Sequence, residues 1–497
     1  MTEFRGFDTD GVDALAKDLD ALARNSGSLH TQLATLMTAV QQNLPPGQRA
    51  SYDPDLQNLV GDLIPMPFFG HRQLPGSLGG ELGDMQASMK RRLAQLKGAK
   101  DLADHGYPVG DDTVFLDEKA PDAKRIQDAY DDLHGLGSAH FGITGNQEEL
   151  QRVSKELDGL TAAELDSVVA KASPQDLADY NRLIGDTGGG LGVFGFGLYG
   201  LPADRCRDTV ALMLSKVSQD NMAKFTTAFP QVQPDFTNSN AYLNHGNDQN
   251  GQTNDGIRWA TPTNPLFDDG VSVDDVNQRQ FGDCWYMASL AGLAQKDPQF
   301  VQDGIRQNPN GTVSVRVWNQ GGDYHWVTMT AELPSDRNGT PLSAYGNGET
   351  WPAYYEKAFA LSYTDEDGNK GYGGIEGDDP KRSAPYLTGH GGEDLETGGF
   401  LGIGKHEDMN IDTLRKKFDS GQVITVSSPD DEDLDKNHPA SFGGSYVTNH
   451  AYYVRGFTGD GKIILGNPWG KKSAPPIEVS QEDFDKYFHN PEAFHAP

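Results

Sequence analysis

A thiol, an imidazole and amide donors become chemistry only when a fold brings them together, and three short stretches of this chain carry those residue types. Gln278-Arg279-Gln280-Phe281-Gly282-Asp283-Cys284, followed by Trp285 and an apolar run, puts a cysteine at the glycine-hinged start of a helix. Backbone N–H groups at a helix start favour anions, so the spacing predicts a thiolate with a lowered pKa, a candidate nucleophile. Far downstream, Asn449-His450-Ala451-Tyr452-Tyr453-Val454 reads as a strand, and Ile463-Ile464-Leu465 as a second strand ending in Gly466-Asn467-Pro468-Trp469-Gly470. Taken singly, each residue has an ordinary explanation. A buried cysteine is usually inert, one histidine among thirteen is usually solvated or a satisfied core group, and Asn before Pro commonly opens a turn. The Gln, Gly-Asp and Trp around Cys284, the apolar strand around His450 and the bulky Trp469 beside Asn467 favour the chemical reading of all three.

Cysteine, then histidine, then asparagine is the chain order of a papain-like site. The segment further resembles the protease core of the calpain family of cysteine peptidases. In that family a Gln six residues before the Cys supplies an oxyanion donor, the Cys opens a helix, and the His and Asn follow on strands. Gln278, Cys284, His450 and Asn467 match those positions. Between the motifs, Gly321-Gly322-Asp323-Tyr324-His325-Trp326-Val327-Thr328-Met329 with Glu332-Leu333-Pro334 is similar to the family's strand pair and Leu-Pro turn. Trp351-Pro352-Ala353-Tyr354-Tyr355-Glu356-Lys357-Ala358-Phe359-Ala360 looks like its Trp-led helix, and Tyr372-Gly373-Gly374-Ile375-Glu376-Gly377 like the loop after it.

The resemblance covers residues 256–497 and implies an α+β, papain-like calpain-type core, a helical subdomain plus a β-rich one, behind an all-α N-terminal region. It implies a cysteine endopeptidase. Cys284 attacks the scissile carbonyl, His450 takes and returns the proton, Asn467 orients the imidazole, and the Gln278 amide with the Cys284 N–H holds the oxyanion. The rival reading is a catalytically weak module that keeps the fold and uses its cleft to hold a peptide. An acyl-transfer enzyme of transglutaminase type shares Cys and His but usually pairs them with an acid, so Asn467 and Gln278 count against it.

Calcium is the point of departure from the family. There a Gly and an Asp ahead of the nucleophile, with a Glu after the tyrosine of the central loop, help hold one ion. Gly270 and Asp275 match and are the candidate calcium ligands here, but Gly373 follows Tyr372. A second family site uses acids after the Asn-Pro-Trp-Gly turn, where this chain has Lys471-Lys472-Ser473. Calcium wants six to eight oxygens, so such losses predict weakened affinity, and no cofactor is required by the sequence. Asp365-Glu366-Asp367-Gly368-Asn369 loosely resembles a calcium-binding loop, but Lys370 stands where glycine is wanted, and it reads as a solvated acidic turn.

These residues must be positioned by a chain too long for one core. At 497 residues two or more domains are expected. The boundaries read as a helical region over 1–228, regulatory or targeting, a polar linker over 229–255 and the protease domain over 256–497. Val12, Leu15, Leu19, Leu22, Leu29, Leu33 and Leu36 recur at helical spacing. Thr161 with Glu164 reads as a capping box, Ser173-Pro174 as a helix start, and 204–227 as a final helix holding a buried Cys206. This half is similar to helical regions of actinobacterial proteins exported without a signal peptide, but has no Trp-x-Gly hairpin motif. The glycine-rich stretch from Gly188 to Leu201 reads as a loop. The linker, rich in Asn, Gln and Gly, is a candidate site of self-cleavage.

Lys+Arg number 41 against 72 Asp+Glu, a net charge of −31, which argues against nucleic acid and anionic membranes as partners and leaves protein or peptide substrates. With only Cys206 and Cys284 present, a bridge would consume the nucleophile, so both thiols are expected free. No secretory signal and no apolar run of membrane-spanning length is seen, which predicts a cytoplasmic protein or one exported without a signal peptide.

Overall fold

The computed structural model describes residues 78–107, 110, 112–117, 119–138, 146–185, 201–237, 239, 256–319, 321–395 and 410–495, with positions 14 and 17. The long helix or helix pair expected over 12–36, apart from positions 14 and 17, the glycine-rich stretch 188–200 and most of the linker, 240–255, lie outside the described residues. Contacts divide the chain into two units, 1–201 with 216–225, and 202–215 with 226–497. Among the described residues no helix is long and apolar enough to cross a membrane.

The first unit is helical as far as it is described, with helices Leu78–Asp104, Ala123–Ser138, Asn146–Asp158, Ala162–Lys171 and Pro174–Ile184. Its start signals are the ones the sequence carries. Thr161 caps Glu164 and is capped in return, and Ser173 does the same with Asp176 ahead of Pro174. Leu133, Val153, Leu157, Leu165, Leu177 and Tyr180 fill its interior. The single helix expected over 204–227 is two, Ala203–Leu214 and Gln219–Ala228, because the Ser218 N–H turns to the buried Asp166 carboxylate at 2.8 Å instead of continuing a helix. Cys206 sits on the first of these, partly exposed rather than buried.

The second unit is built on antiparallel strands. β1 (Ile257–Ala260) pairs with β5 (Leu333–Asp336), so Leu333-Pro334 belongs to a strand and not to a turn; a two-stranded edge tolerates the missing proline donor. β2 (Ile305–Gln307), β3 (Val313–Trp318) and β4 (Tyr324–Met329) form a second sheet, against which helix Ala203–Leu214 packs. The third sheet has the order β10 (Ile477–Val479), β9 (Ile463–Gly466), β8 (His450–Phe457), β7 (Val423–Ser428), β11 (His489–Phe494), β6 (Glu393–Asp394).

Side-chain alternation gives that last sheet two buried faces. Val423, Ala451 and Tyr453 point to the core that holds helix Cys284–Lys296, while Ile424, Val426, Tyr452 and Val454 point to a second core with Phe484 and Phe488. Helix Cys284–Lys296 is buried from Trp285 to Ala294, so it runs through the interior rather than across a surface. It approaches β7 closely at Gly292, where a Cβ would stand 2.5 Å from Val423 Cγ1.

The beginning of the expected linker is structured. Phe229 and Val232 are buried, Phe236 stacks on Tyr372 with centroids 5.3 Å apart, and the Tyr372 N–H donates to Asp235 O at 2.9 Å. Three apolar side chains in an otherwise polar tract were enough to fix it.

Candidate active site

Cys284 is the first residue of its helix, at the floor of a cleft of about 900 Å³ whose lining includes Gln278, Glu376, His450, Trp469 and His489. The N-cap Asp283 gives the helix no side-chain cap; its carbonyl accepts from the Tyr286 and Met287 N–H groups, each at 3.0 Å. The strand that brings the histidine also touches the nucleophile, since the Ala451 N–H is directed at the Cys284 sulfur. The chain turns into β8 through Asn449, at φ 51°, a conformation that asparagine tolerates better than most residues.

His450 Nε2 lies 3.0 Å from Asn467 Oδ1. The asparagine orientation is fixed on both sides, because its Nδ2 donates to Ser445 O at 3.0 Å and its Oδ1 also accepts from the Trp469 N–H at 2.9 Å. With Oδ1 as acceptor, Nε2 must carry the imidazole hydrogen, and Nδ1 is the basic nitrogen. The Trp469 ring, 5.0 Å from the imidazole by centroid, covers the bond, and His450 itself is only 7% exposed.

Burial overrides the helix start at the nucleophile. The Cys284 thiol is pushed up to about 11 by desolvation, against the lowering by the Ala451 N–H. The expected depressed value is therefore not found. A helix N-terminus contributes about 1 kcal/mol, less than one pKa unit, and the shell of Trp285, Phe281 and the sheet outweighs it. Desolvation likewise brings His450 down to about 4, with Asn467 pulling the other way. Both shifts favour the neutral forms, a thiol at Cys284 and an uncharged imidazole at His450.

Gln278 reaches the cleft, but its amide is occupied. Nε2 donates to Phe281 O at 2.8 Å and to Asp283 Oδ1 at 3.2 Å. An oxyanion would have to share one of these hydrogens. The loop it begins is stitched across the site, with the Gln278 N–H on Pro468 O at 2.8 Å and the Gly377 N–H on Gly282 O at 3.0 Å.

Carboxylate oxygens of Asp269, Asp275 and Glu349 lie within 4.8 Å of one another, Gly270 following the first of them with φ 99°. Glu349 Oε1 accepts from the Asp268 and Asp269 N–H groups at 2.7 and 2.9 Å, while its buried Oε2 has no hydrogen-bond partner among the described residues. Desolvation raises Asp275 and Glu349 from their ordinary values, as expected of acids crowded without a counter-charge. This oxygen-only set fits a hard cation such as calcium. The family's acid after the central-loop tyrosine is missing here, Gly373 following Tyr372; Asp269 and Glu349, two residues before Trp351, are the carboxylates that stand with Asp275, and neither was singled out in the sequence. Calcium is expected to raise the melting temperature, and Glu349→Gln to weaken calcium binding about tenfold or more by calorimetry. Equal binding by both proteins would exclude this site. Near the second calcium position expected from the family, Lys471 is ion-paired to Asp274, which also holds Arg455 at 3.0 Å.

Residues 232–475 match the family model for calpain family cysteine proteases, so the chain carries a calpain-family domain over that span. The chain is 28% identical over 242 residues to calpain clp-4 of Caenorhabditis elegans, covering 44% of this chain and 31% of that protein. It is 30% identical over 244 residues to calpain-8 of Mus musculus, with 44% and 31% covered, and 26% identical over 253 residues to the calpain-type cysteine protease DEK1 of Zea mays, with 47% and 11% covered. The matched part of the chain thus spans less than a third of each of these relatives.

Proposed function

We propose that the second unit is a cysteine endopeptidase with a papain-like arrangement, in which Cys284 is the nucleophile, His450 the proton carrier, Asn467 its orienting partner and Gln278 an oxyanion donor. The observation that carries this reading is the 3.0 Å His450–Asn467 bond, which leaves Nδ1 as the base in the cleft that Cys284 also lines. Attack on a peptide carbonyl transfers the thiol proton to Nδ1, forms the carbon–sulfur bond and places negative charge on the carbonyl oxygen. His450 then protonates the leaving amine, and water, deprotonated by the same imidazole, releases the acyl group. Extended protein segments are the substrates that a cleft of this size admits.

The experiment is mass spectrometry of the full chain with an unfolded protein and a thiol-trapping peptide. Substrate cleavage and a single adduct on Cys284, both absent in Cys284→Ser, are expected. An intact substrate and an unmodified Cys284 would favour the second reading, a peptide-holding module, which the raised thiol pKa makes worth testing. We also propose a bound calcium at Asp269, Asp275 and Glu349 and keep the division at 228 and 255 as a proposal for domain roles. Linker cleavage by the protein's own activity would appear in the same spectra.

A further inference from the structure

Directly beneath the nucleophile lies a group of buried acids that the reaction above does not use. Asp283, the residue before Cys284, and Glu356, on the Trp351–Ser362 helix, are each 0% exposed. Their carboxyl groups interact with each other; Asp283 Oδ2 and Glu356 Oε2 make no hydrogen bond of ordinary geometry among the described residues, and the Ser343 hydroxyl is the donor that faces Glu356. Two carboxylates offer acceptors only, so this contact is a hydrogen bond only when one of them holds a proton. Among the described residues no lysine or arginine is among the groups that act on either acid. Glu376 adds a further negative charge toward Asp283, Tyr286 and Tyr372 border both acids, and Cys284 is next in the chain. Two charges held together in such a place would cost far more than one proton shared between them.

The remaining oxygens are spent on positioning. Glu356 Oε1 accepts the Ala344 N–H at 3.1 Å, which fixes the pair to the scaffold. Asp283 Oδ1 accepts from Gln278 Nε2 at 3.2 Å. At 3.2 Å this contact is at the long end of the hydrogen-bond range, while the same nitrogen reaches Phe281 O at 2.8 Å, so Asp283 is the looser of the two acceptors. A loosely held N–H can be shared with a developing oxyanion; one gripped by a full carboxylate cannot.

We propose that Asp283 and Glu356 share a single proton and together position the Gln278 amide beside the nucleophile, as positioning residues for the peptidase reaction. The inference rests on the peptidase reading of the site. It implies that loss of the shared proton at alkaline pH does two things at once: it tightens the hold on Gln278 and puts a second negative charge against the Cys284 thiolate. Activity should therefore have an alkaline limb that belongs to the pair.

Peptide hydrolysis by the full chain is measured for wild type, Gln278→Ala, Asp283→Ala, Asp283→Asn and the Gln278→Ala/Asp283→Ala double variant, with kcat and KM separated and melting temperatures recorded. Gln278→Ala should lower kcat about 100-fold. Asp283→Ala should do nearly the same with KM changed less than about threefold, and the double variant should fall no more than about threefold below Gln278→Ala alone, since both act through one donor. Asp283→Asn keeps an oxygen for Gln278 and offers its amide to Glu356, so it should restore kcat and lose the alkaline limb. Multiplying effects, or an asparagine as damaging as alanine, would overturn the proposal. Should Asp283→Ala not fold, the Asp283→Asn profile decides, and an unchanged alkaline limb overturns it. A wild type that neither cleaves substrate nor takes a thiol adduct would overturn the peptidase reading and this inference with it, whereas an active wild type with independent effects sinks this inference alone.

Discussion

His450→Ala is expected to lower kcat/KM at pH 7 by about ten-thousandfold, and the residual rate should climb about tenfold per pH unit above neutrality until the alkaline limb of the Asp283–Glu356 pair sets in. The reason lies in the two shifted groups. With its thiol at about 11, Cys284 is ionised in only about one molecule in ten thousand at pH 7. Wild type escapes that limit because Nδ1 takes the proton as the sulfur attacks, so thiolate need not exist beforehand. Without the imidazole only the pre-formed thiolate reacts, and its population rises with pH until the thiol has titrated. The sign is firm: a group whose pKa lies above the assay pH gains charge as pH rises. The measurement is kcat/KM for wild type and variant across the alkaline range in which the chain stays folded. A loss of less than about tenfold, or a residual rate flat in pH, would mean that the resting thiol is already ionised and the burial argument is wrong.

That burial is the part of the site the sequence did not make legible. The nucleophile motif, the histidine strand and the Asn-Pro-Trp-Gly turn were readable because each couples a residue type to a local backbone form: a helix start at Cys284, a strand start at His450, a capped turn at Asn467. Helix starts at Thr161 and Ser173 were readable for the same reason. What could not be read was anything set by distant neighbours. The reversal of the thiol shift comes from the core around helix Cys284–Lys296, and the carboxylate cluster draws Glu349 from about 80 residues beyond Asp269. The Gln278 amide was assigned to the oxyanion by analogy, and in the structure it is held by Phe281 O and by Asp283, whose carboxyl meets Glu356 far along the chain. Likewise the polar composition of 229–255 hid the fact that Phe229 and Val232 are buried and that Phe236 packs against the core of the second unit.

Trp285→Ala should be the most damaging single change to the second unit, lowering its unfolding free energy by about 4 kcal/mol. The side chain is 0% exposed and is packed edge-on against Phe359 and Tyr363, with centroids 5.2 Å away in each case. Its indole N–H donates to Ile375 O at 2.7 Å. Truncation therefore empties an indole-sized space in an apolar core and leaves the Ile375 carbonyl without its donor. Trp285→Phe separates the two terms: most of the ring volume stays, the carbonyl is still orphaned, and a loss of about 1–2 kcal/mol is expected. Because the Ile375 bond anchors the segment that contributes Glu376 and Gly377 to the cleft, the phenylalanine variant should raise KM more than it lowers kcat. All six tryptophans, at 259, 285, 318, 326, 351 and 469, lie in the second unit, so tryptophan fluorescence during urea unfolding reports that unit and not the helical one. Five of them remain as probes in either variant. A loss below about 1 kcal/mol for alanine would show that the surrounding side chains collapse into the space, and that the nucleophile helix is held by the sheet rather than by its aromatic neighbours.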